Sequence, residues 1–234
     1  MPHAVITGAT QGIGKTIAEK LLSKGYSVAI CARNKEKLAE LTQEWTAQYP
    51  KATIAAYPAD LGNRTETEAF GKYVLDTFSQ VDILVNNAGS FLPGDICEEP
   101  DDRLETLMSV NVYSAYHLTR VLAPTMKNAG SGHIFNMCSV ASLKAYPNGG
   151  SYSITKYALL GFSDNLREEL KPHNIKVTAI CPGAVYTPSW EGSGVPSERI
   201  MEANDIASML WSAANLSPQA NVETIIMRPV KGDL

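Results

Sequence analysis

The sequence predicts an α/β protein: a doubly wound parallel sheet of about seven strands with helices on both faces, three layers deep. Two observations carry this. Short apolar runs alternate with longer segments of helical period along all 234 residues. The runs are apolar throughout rather than alternating polar with apolar, as strands covered on both faces must be. No internal repeat, low-complexity tract or linker interrupts the pattern, so residues 1–234 are expected to form one nucleotide-binding domain.

The elements follow in order. HAVITG is a strand, and IGKTIAEKLLSKG a helix ending on Gly25, where glycine tolerates the left-handed conformation of a helix end. YSVAICA gives way to KEKLAELTQEWTAQY, and ATIAAYP to a helix whose Asn63 and Glu66 have the spacing of a capping box. Then come VDILVNN, a long helix from about Asp102 to Lys127, HIFNMCS, a helix opening with SYSITKYALLG, and KVTAICPG. A helix around Asp205 to Ala214 precedes the last strand, VETIIMRP. The least regular stretch, residues 187–204, follows a strand directly. In open α/β sheets ligands bind beyond the carboxyl ends of the strands, so this stretch is expected to be a substrate lid, with Trp190 and Met201 lining an apolar pocket.

Composition narrows the function classes. A net charge of −4 offers no basic field for nucleic acid or an anionic membrane surface. The first strand begins at His3, which leaves no room for a cleavable leader, and no apolar stretch reaches the length of a membrane span. Cys31, Cys97, Cys138 and Cys181 are scattered, and no histidines cluster at metal-ligand spacing. A cytoplasmic protein with free thiols and no metal is expected.

TGATQGIG, residues 7–14, joins the first strand to the first helix. Gly8, Gly12 and Gly14 permit a tight turn and let backbone amides approach a pyrophosphate, while the helix N-terminus presents unpaired N–H groups. This is a Rossmann-type dinucleotide turn, although its spacing is G-x-x-x-G-x-G rather than G-x-G-x-x-G. A carboxylate about 20 residues beyond the glycines would hold the ribose diol of NAD. Here that place is Ala32, followed by Arg33, whose planar fork suits a 2′-phosphate, so NADP is expected over NAD.

In SYSITKYALLG, helical spacing stacks Tyr152 and Lys156, with Ile154, Ala158, Phe162 and Leu166 on an apolar arc beside them. A free phenol, with a pKa of about 10, is a feeble base at neutral pH. An ammonium about 4 Å away at an effective dielectric of about 20 contributes roughly 4 kcal/mol, at most about three pK units, so a lowered tyrosine pKa is expected. Ser139 lies just past an apolar strand. His117, His133 and His173 suggest no triad with it and the G-x-S-x-G elbow is missing, so it is expected to donate to a substrate oxygen rather than attack one. Asn111, a poor helix former inside a helical pattern, is expected to bond a local water.

Over nearly its whole length the chain resembles the classical short-chain dehydrogenase/reductase family. TGATQGIG is similar to the TGxxxGxG turn of that family, NNAG at 86–89 to its motif after the fourth strand, and PGAVYT at 182–187 to its PG motif. Asn111, Ser139, Tyr152 and Lys156 fall in the family's order. The resemblance implies that Tyr152 is the general acid and base, Lys156 its electrostatic partner and a ribose ligand, Ser139 the holder of the substrate oxygen, and Asn111 part of a proton relay. It assigns Asp60 to the adenine amino group with Leu61 beside it, and Gln11 and Ile13 to the phosphate turn. Asn87, Ala88 and Gly89, then Pro182, Gly183, Val185 and Thr187, complete the cofactor site. It implies reversible hydride transfer between NADP(H) and a small carbonyl or alcohol, with ketone reduction favoured, and a homodimer or homotetramer built on the helices near 102–127 and 151–170. Alternatives of other kinds are a catalytically weak NADP-binding sensor and a structural subunit. Within the enzyme class the alternative is a 3-oxoacyl-thioester reductase, although VETIIMRPVKGDL lacks the VDGG ending common among those enzymes.

Overall fold

The computed structural model describes every residue except Glu191, Ser193 and Leu234. Seven strands form one parallel sheet in the order β3-β2-β1-β4-β5-β6-β7. They are β1 His3–Thr7, β2 Ser27–Ala32, β3 Ile54–Pro58, β4 Ile83–Asn86, β5 Gly132–Met137, β6 Ile175–Pro182 and β7 Thr224–Met227. The helices are α1 Gly12–Ser23, α2 Lys35–Gln48, α3 Arg64–Thr77, α4 Arg103–Met108, α5 Ser114–Ala129, α6 Gly150–Leu170 and α7 Ala203–Ala214.

Each face of the sheet carries its own apolar layer. On one, Ile17 and Leu21 of α1, Leu38 and Trp45 of α2, and Ile206 and Leu210 of α7 pack on Ile6, Ile30 and Phe135. On the other, Phe70 and Val74 of α3, Leu118 and Leu122 of α5, and Leu166 and Leu170 of α6 pack on Val5, Leu84 and Val177. The order of connections reverses between β1 and β4, and it is there that a sheet of this kind opens a crevice at its carboxyl end.

Three local expectations change. The long helix is interrupted: Ser109–Tyr113 forms a π turn between α4 and α5, with the amide of Ser114 reaching back to the carbonyl of Ser109. The extra residue turns Asn111 into the interior, where it is 1% exposed. Asn63 caps α3 by accepting from the amides of Thr65 and Glu66, but the Glu66 carboxylate accepts from Asp60 instead of closing a box on Asn63. On α6, Ile154 points outward at 40% exposure, and the buried stripe is largely polar, with Ser151, Ser153, Thr155, Lys156 and Ser163 beside Leu159 and Leu166. The stretch 187–204, expected as a lid, includes Glu191 and Ser193, which lie outside the described residues, and its described flanks are tied together. Val185 pairs with Met201, the amide of Tyr186 donates to Met201 at 2.7 Å and that of Met201 to Ala184 at 3.1 Å. Met201 packs against the core.

The far end of the chain is bound to this loop. The Arg199 guanidinium donates to the carbonyls of Lys231, Gly232 and Asp233 at 3.3, 2.9 and 3.1 Å. Arg228 pairs with Asp233, and the amide of Gly183 donates to Met227 at 2.8 Å, which folds residues 228–233 over the PG turn.

Candidate active site at the carboxyl edge of the sheet

The glycine turn is held by the neighbouring strand. The hydroxyl of Thr7 accepts from the amides of Asn87 and Ala88, both at 2.9 Å, and Asn87 Nδ2 donates to the carbonyls of Thr7 and Gly8 at 2.9 and 3.2 Å. Gly8 and Gly12 have φ of +66° and +56°. At Gly14 a Cβ would stand 2.4 Å from both Asn87 Nδ2 and Gly8 O, so only glycine fits. A Cβ on Gly12 would stand 3.1 Å from Thr187 Cγ2, which brings the PG segment up to the turn. Pro182 is buried, and Gly183 and Val185 are held by their backbone pairings.

The side chain of Gln11, at the N-cap of α1, makes no capping bond. The first-turn amides are therefore left for an acceptor from outside the helix, and a pyrophosphate fits that donor set. Ile13 packs on the core beside the turn. Arg33 is exposed and makes no hydrogen bond or ion pair with any described residue. Asp60 is exposed, and its carboxylate accepts from Gly62 at 2.9 Å. Leu61 turns its side chain into the core, which leaves only its backbone for a ligand.

The second group of predicted residues converges beside this crevice. Ser139 follows β5 and caps a short turn, accepting from the amide of Ala141 at 3.1 Å. Its own hydroxyl reaches the carbonyl of Pro182 only at 3.5 Å, a weak bond from which it turns readily to another acceptor. The Ser139 side chain also acts on the Tyr152 phenol, pulling its pKa down. Lys156 is 5% exposed, and its ammonium donates to the carbonyl of Met137 at 2.8 Å and lies 5.6 Å from the centre of the Tyr152 ring. A Cβ on Gly89 would stand 3.2 Å from Asn111 Oδ1 and 3.6 Å from Lys156 Nζ, so the NNAG turn meets both.

One expectation about this cluster is corrected. Burial lifts the Tyr152 phenol above its ordinary pKa, and the Ser139 hydrogen bond offsets only part of that. The Lys156 ammonium is turned to the carbonyl of Met137, and burial holds its own pKa below normal. The Asn111 side-chain amide is tied to the loop and to α6, with one lone pair of Oδ1 still free. Its Oδ1 accepts from the amide of Ser90 at 2.7 Å, and its Nδ2 donates to the carbonyl of Ser90 and the hydroxyl of Thr155, both at 3.0 Å.

Two residues of this cluster escape sequence reasoning. Thr155 accepts from Asn111 and donates to the carbonyl of Tyr152 at 2.8 Å, linking helix to loop. Phe91 sets its ring edge-on to that of Tyr152, 4.8 Å between centres at 83°. The only available signal was position, one residue before Lys156 and two after Gly89. Among the described residues no group of His, Cys, Asp and Glu could hold a metal ion, and no helix is long and apolar enough to cross a membrane.

Comparison with known proteins places this geometry. An uncharacterized oxidoreductase of Staphylococcus epidermidis is 33% identical over 227 residues, covering 97% of this chain and 96% of its own. An alcohol dehydrogenase of Thermococcus sibiricus, solved with 5-hydroxy-NADP, superposes with a TM-score of 0.90 at 28% identity over 98% of this chain and 97% of its own. L-Sorbose reductase of Gluconobacter frateurii, solved with NADPH and L-sorbose, gives a TM-score of 0.90 at 26% identity, with the same shares of each chain. The model of the short chain dehydrogenase family matches residues 2–194. With the seven-stranded sheet, the glycine turn and these matches in agreement, the chain belongs to the short chain dehydrogenase family and is an oxidoreductase.

Proposed function

We propose that the protein is an NADP(H)-dependent oxidoreductase that reduces a ketone or aldehyde to the alcohol, or runs the reverse reaction. The observation that carries this is the convergence of Ser139, Tyr152 and Lys156 beside an uncapped, glycine-lined helix N-terminus. The α1 amides, with Gly12 and Thr187 facing them, would hold the pyrophosphate, and Arg33 the 2′-phosphate. Asp60 and the backbone of Leu61 would lie along the adenine, Asn87, Ala88 and Gly89 along the ribose, and Pro182, Gly183 and Val185 along the nicotinamide. Bound NADPH supplies the hydride.

The chain's own residues handle the proton. Ser139 turns its weakly held hydroxyl to the substrate oxygen as negative charge develops there. Tyr152, kept protonated by its buried setting, donates its phenolic proton to that oxygen. The Lys156 ammonium steadies the phenolate left behind and would hold a ribose hydroxyl. A protonated phenol at neutral pH suits reduction, in which tyrosine acts as the acid. Asn111 serves through its clamp on Ser90.

The same reading proposes a cytoplasmic homodimer or homotetramer formed through the π turn, α5 and α6, whose Tyr113, Tyr116, Ile154 and Tyr157 stand 40% or more exposed. Following NADPH and NADH absorbance against a panel of ketones, diketones and aldehydes tests the activity. Consumption of NADPH ahead of NADH is expected, abolished in Tyr152→Phe and reduced at least about a hundredfold in Lys156→Met. Cofactor binding without consumption across the panel would overturn the proposal.

A further inference from the structure

Phe91 is unusual in its setting. It is 56% exposed and belongs to none of the three apolar clusters, yet it is held firmly. The residue before it, Ser90, has both its amide and its carbonyl clamped by the side-chain amide of Asn111, at 2.7 and 3.0 Å. Further along the same loop, Gly94 donates to the carbonyl of Asn148 at 3.0 Å, and Glu99 accepts from the amide of Ser151 at the start of α6. An aromatic ring costs free energy when left facing water, and a loop tip without such ties would fold it down. Instead the chain spends a buried asparagine on fixing the base of this loop. The fixed ring stands edge-on to Tyr152, at the 4.8 Å and 83° of a T-shaped aromatic pair.

Resting on the reading that Tyr152 protonates a substrate carbonyl, we infer that Phe91 is a specificity-determining wall of the substrate site, and that the substrate class is carbonyl compounds with a flat aromatic or conjugated group attached to the carbonyl carbon. A carbonyl oxygen placed at the Tyr152 hydroxyl has its substituents within reach of whatever flanks that ring. A planar substituent lies against the exposed part of Phe91 with the offset or edge geometry aromatic pairs prefer, and covers its apolar surface. A methyl group in the same place covers little of it. The phenol of Tyr146, which bears electrostatically on Tyr152 and is 38% exposed, adds a second aromatic group to the same neighbourhood.

The test compares two diones that differ only in that substituent, 1-phenyl-1,2-propanedione and 2,3-butanedione, by kcat/KM with NADPH. The parent protein is expected to prefer the phenyl compound by about tenfold or more, the scale of one aromatic pair with its burial. Phe91→Ala is expected to bring that ratio close to one, and Phe91→Leu, which keeps most of the bulk and so guards against a folding defect, to an intermediate value. NADPH affinity from fluorescence titration should stay the same in all three. Equal use of both diones by the parent, or an undiminished preference in Phe91→Ala, overturns this inference while leaving the reductase reading in place. NADPH binding without consumption of either dione overturns this inference, and the reductase reading falls with it only if the wider panel of ketones and aldehydes is also left unconsumed.

Discussion

Replacing Thr155 by Val tests whether the predicted site is a connected structure or a set of neighbours. Valine has nearly the shape of threonine and lacks the hydroxyl, at a position with no exposed surface. Two bonds vanish: the one accepted from Asn111 Nδ2 at 3.0 Å and the one donated to the carbonyl of Tyr152 at 2.8 Å. The Asn111 N–H is then left buried without a partner, so the loss is about 2–4 kcal/mol once its desolvation is included. In a domain of this size that lowers Tm by about 5–15 °C. Because the same amide clamps Ser90, its reorientation moves the loop over Tyr152, and kcat/KM for carbonyl reduction is expected to fall by about tenfold or more, as misplacements near an ångström do. Thr155→Ser keeps the hydroxyl and should stay within about 1 kcal/mol of the parent, with most of its turnover. Thermal melts and steady-state kinetics on the three proteins decide the matter. A Val variant that melts and turns over like the parent, or a Ser variant as impaired as the Val one, would refute the linkage.

Two further outcomes follow from other parts of the structure. His133 is buried, its Nε2 bonded to the hydroxyl of Thr178 and its Nδ1 without a partner, and burial lowers its pKa to about 3. The unfolded chain takes up that proton near pH 6.5 and the folded one only near 3, so stability is lost as pH falls through this window. Denaturant melts should show about 2 kcal/mol less stability at about pH 5 than at neutrality from this group, a difference absent in His133→Gln. In Gly14→Ala the added methyl meets Asn87 Nδ2 and Gly8 O at 2.4 Å, and the turn has to open. A stability loss of at least about 2 kcal/mol is expected, with loss of dinucleotide binding in a fluorescence titration. Unchanged NADPH affinity in that variant would count against the turn as the phosphate site.

The layers of the fold could be read because strands buried on both faces leave unbroken apolar runs, and because Gly25 and Asn63 mark helix ends chemically. The π turn at Ser109–Tyr113 was invisible, since periodicity assumes a constant turn and one extra residue leaves no compositional trace. The buried stripe of α6 misled for another reason. Ser163 donates to the carbonyl of Leu159 and accepts from Asn136 at 2.8 Å, Thr155 donates to the carbonyl of Tyr152, and Ser151 bonds the Glu99 carboxylate, yet hydropathy counts such residues as surface. Motif spacing identified which residues meet at the sheet edge, but the electrostatics of Tyr152 depended on where Lys156 aims its ammonium, and that is set by the carbonyl of Met137 in a strand far away in sequence.

The three carbonyls held by Arg199 give the last residues of the chain a mechanical role. Force or bulk applied beyond residue 233 is transmitted to the 186–200 loop and to the turn at Gly183, next to the predicted nicotinamide position. Met1, 60% exposed, precedes the strand whose opposite end carries the glycine turn. Affinity handles, surface tethers and fusion partners are therefore best attached at Met1, and an immobilised preparation anchored through its other end should bind and turn over more weakly.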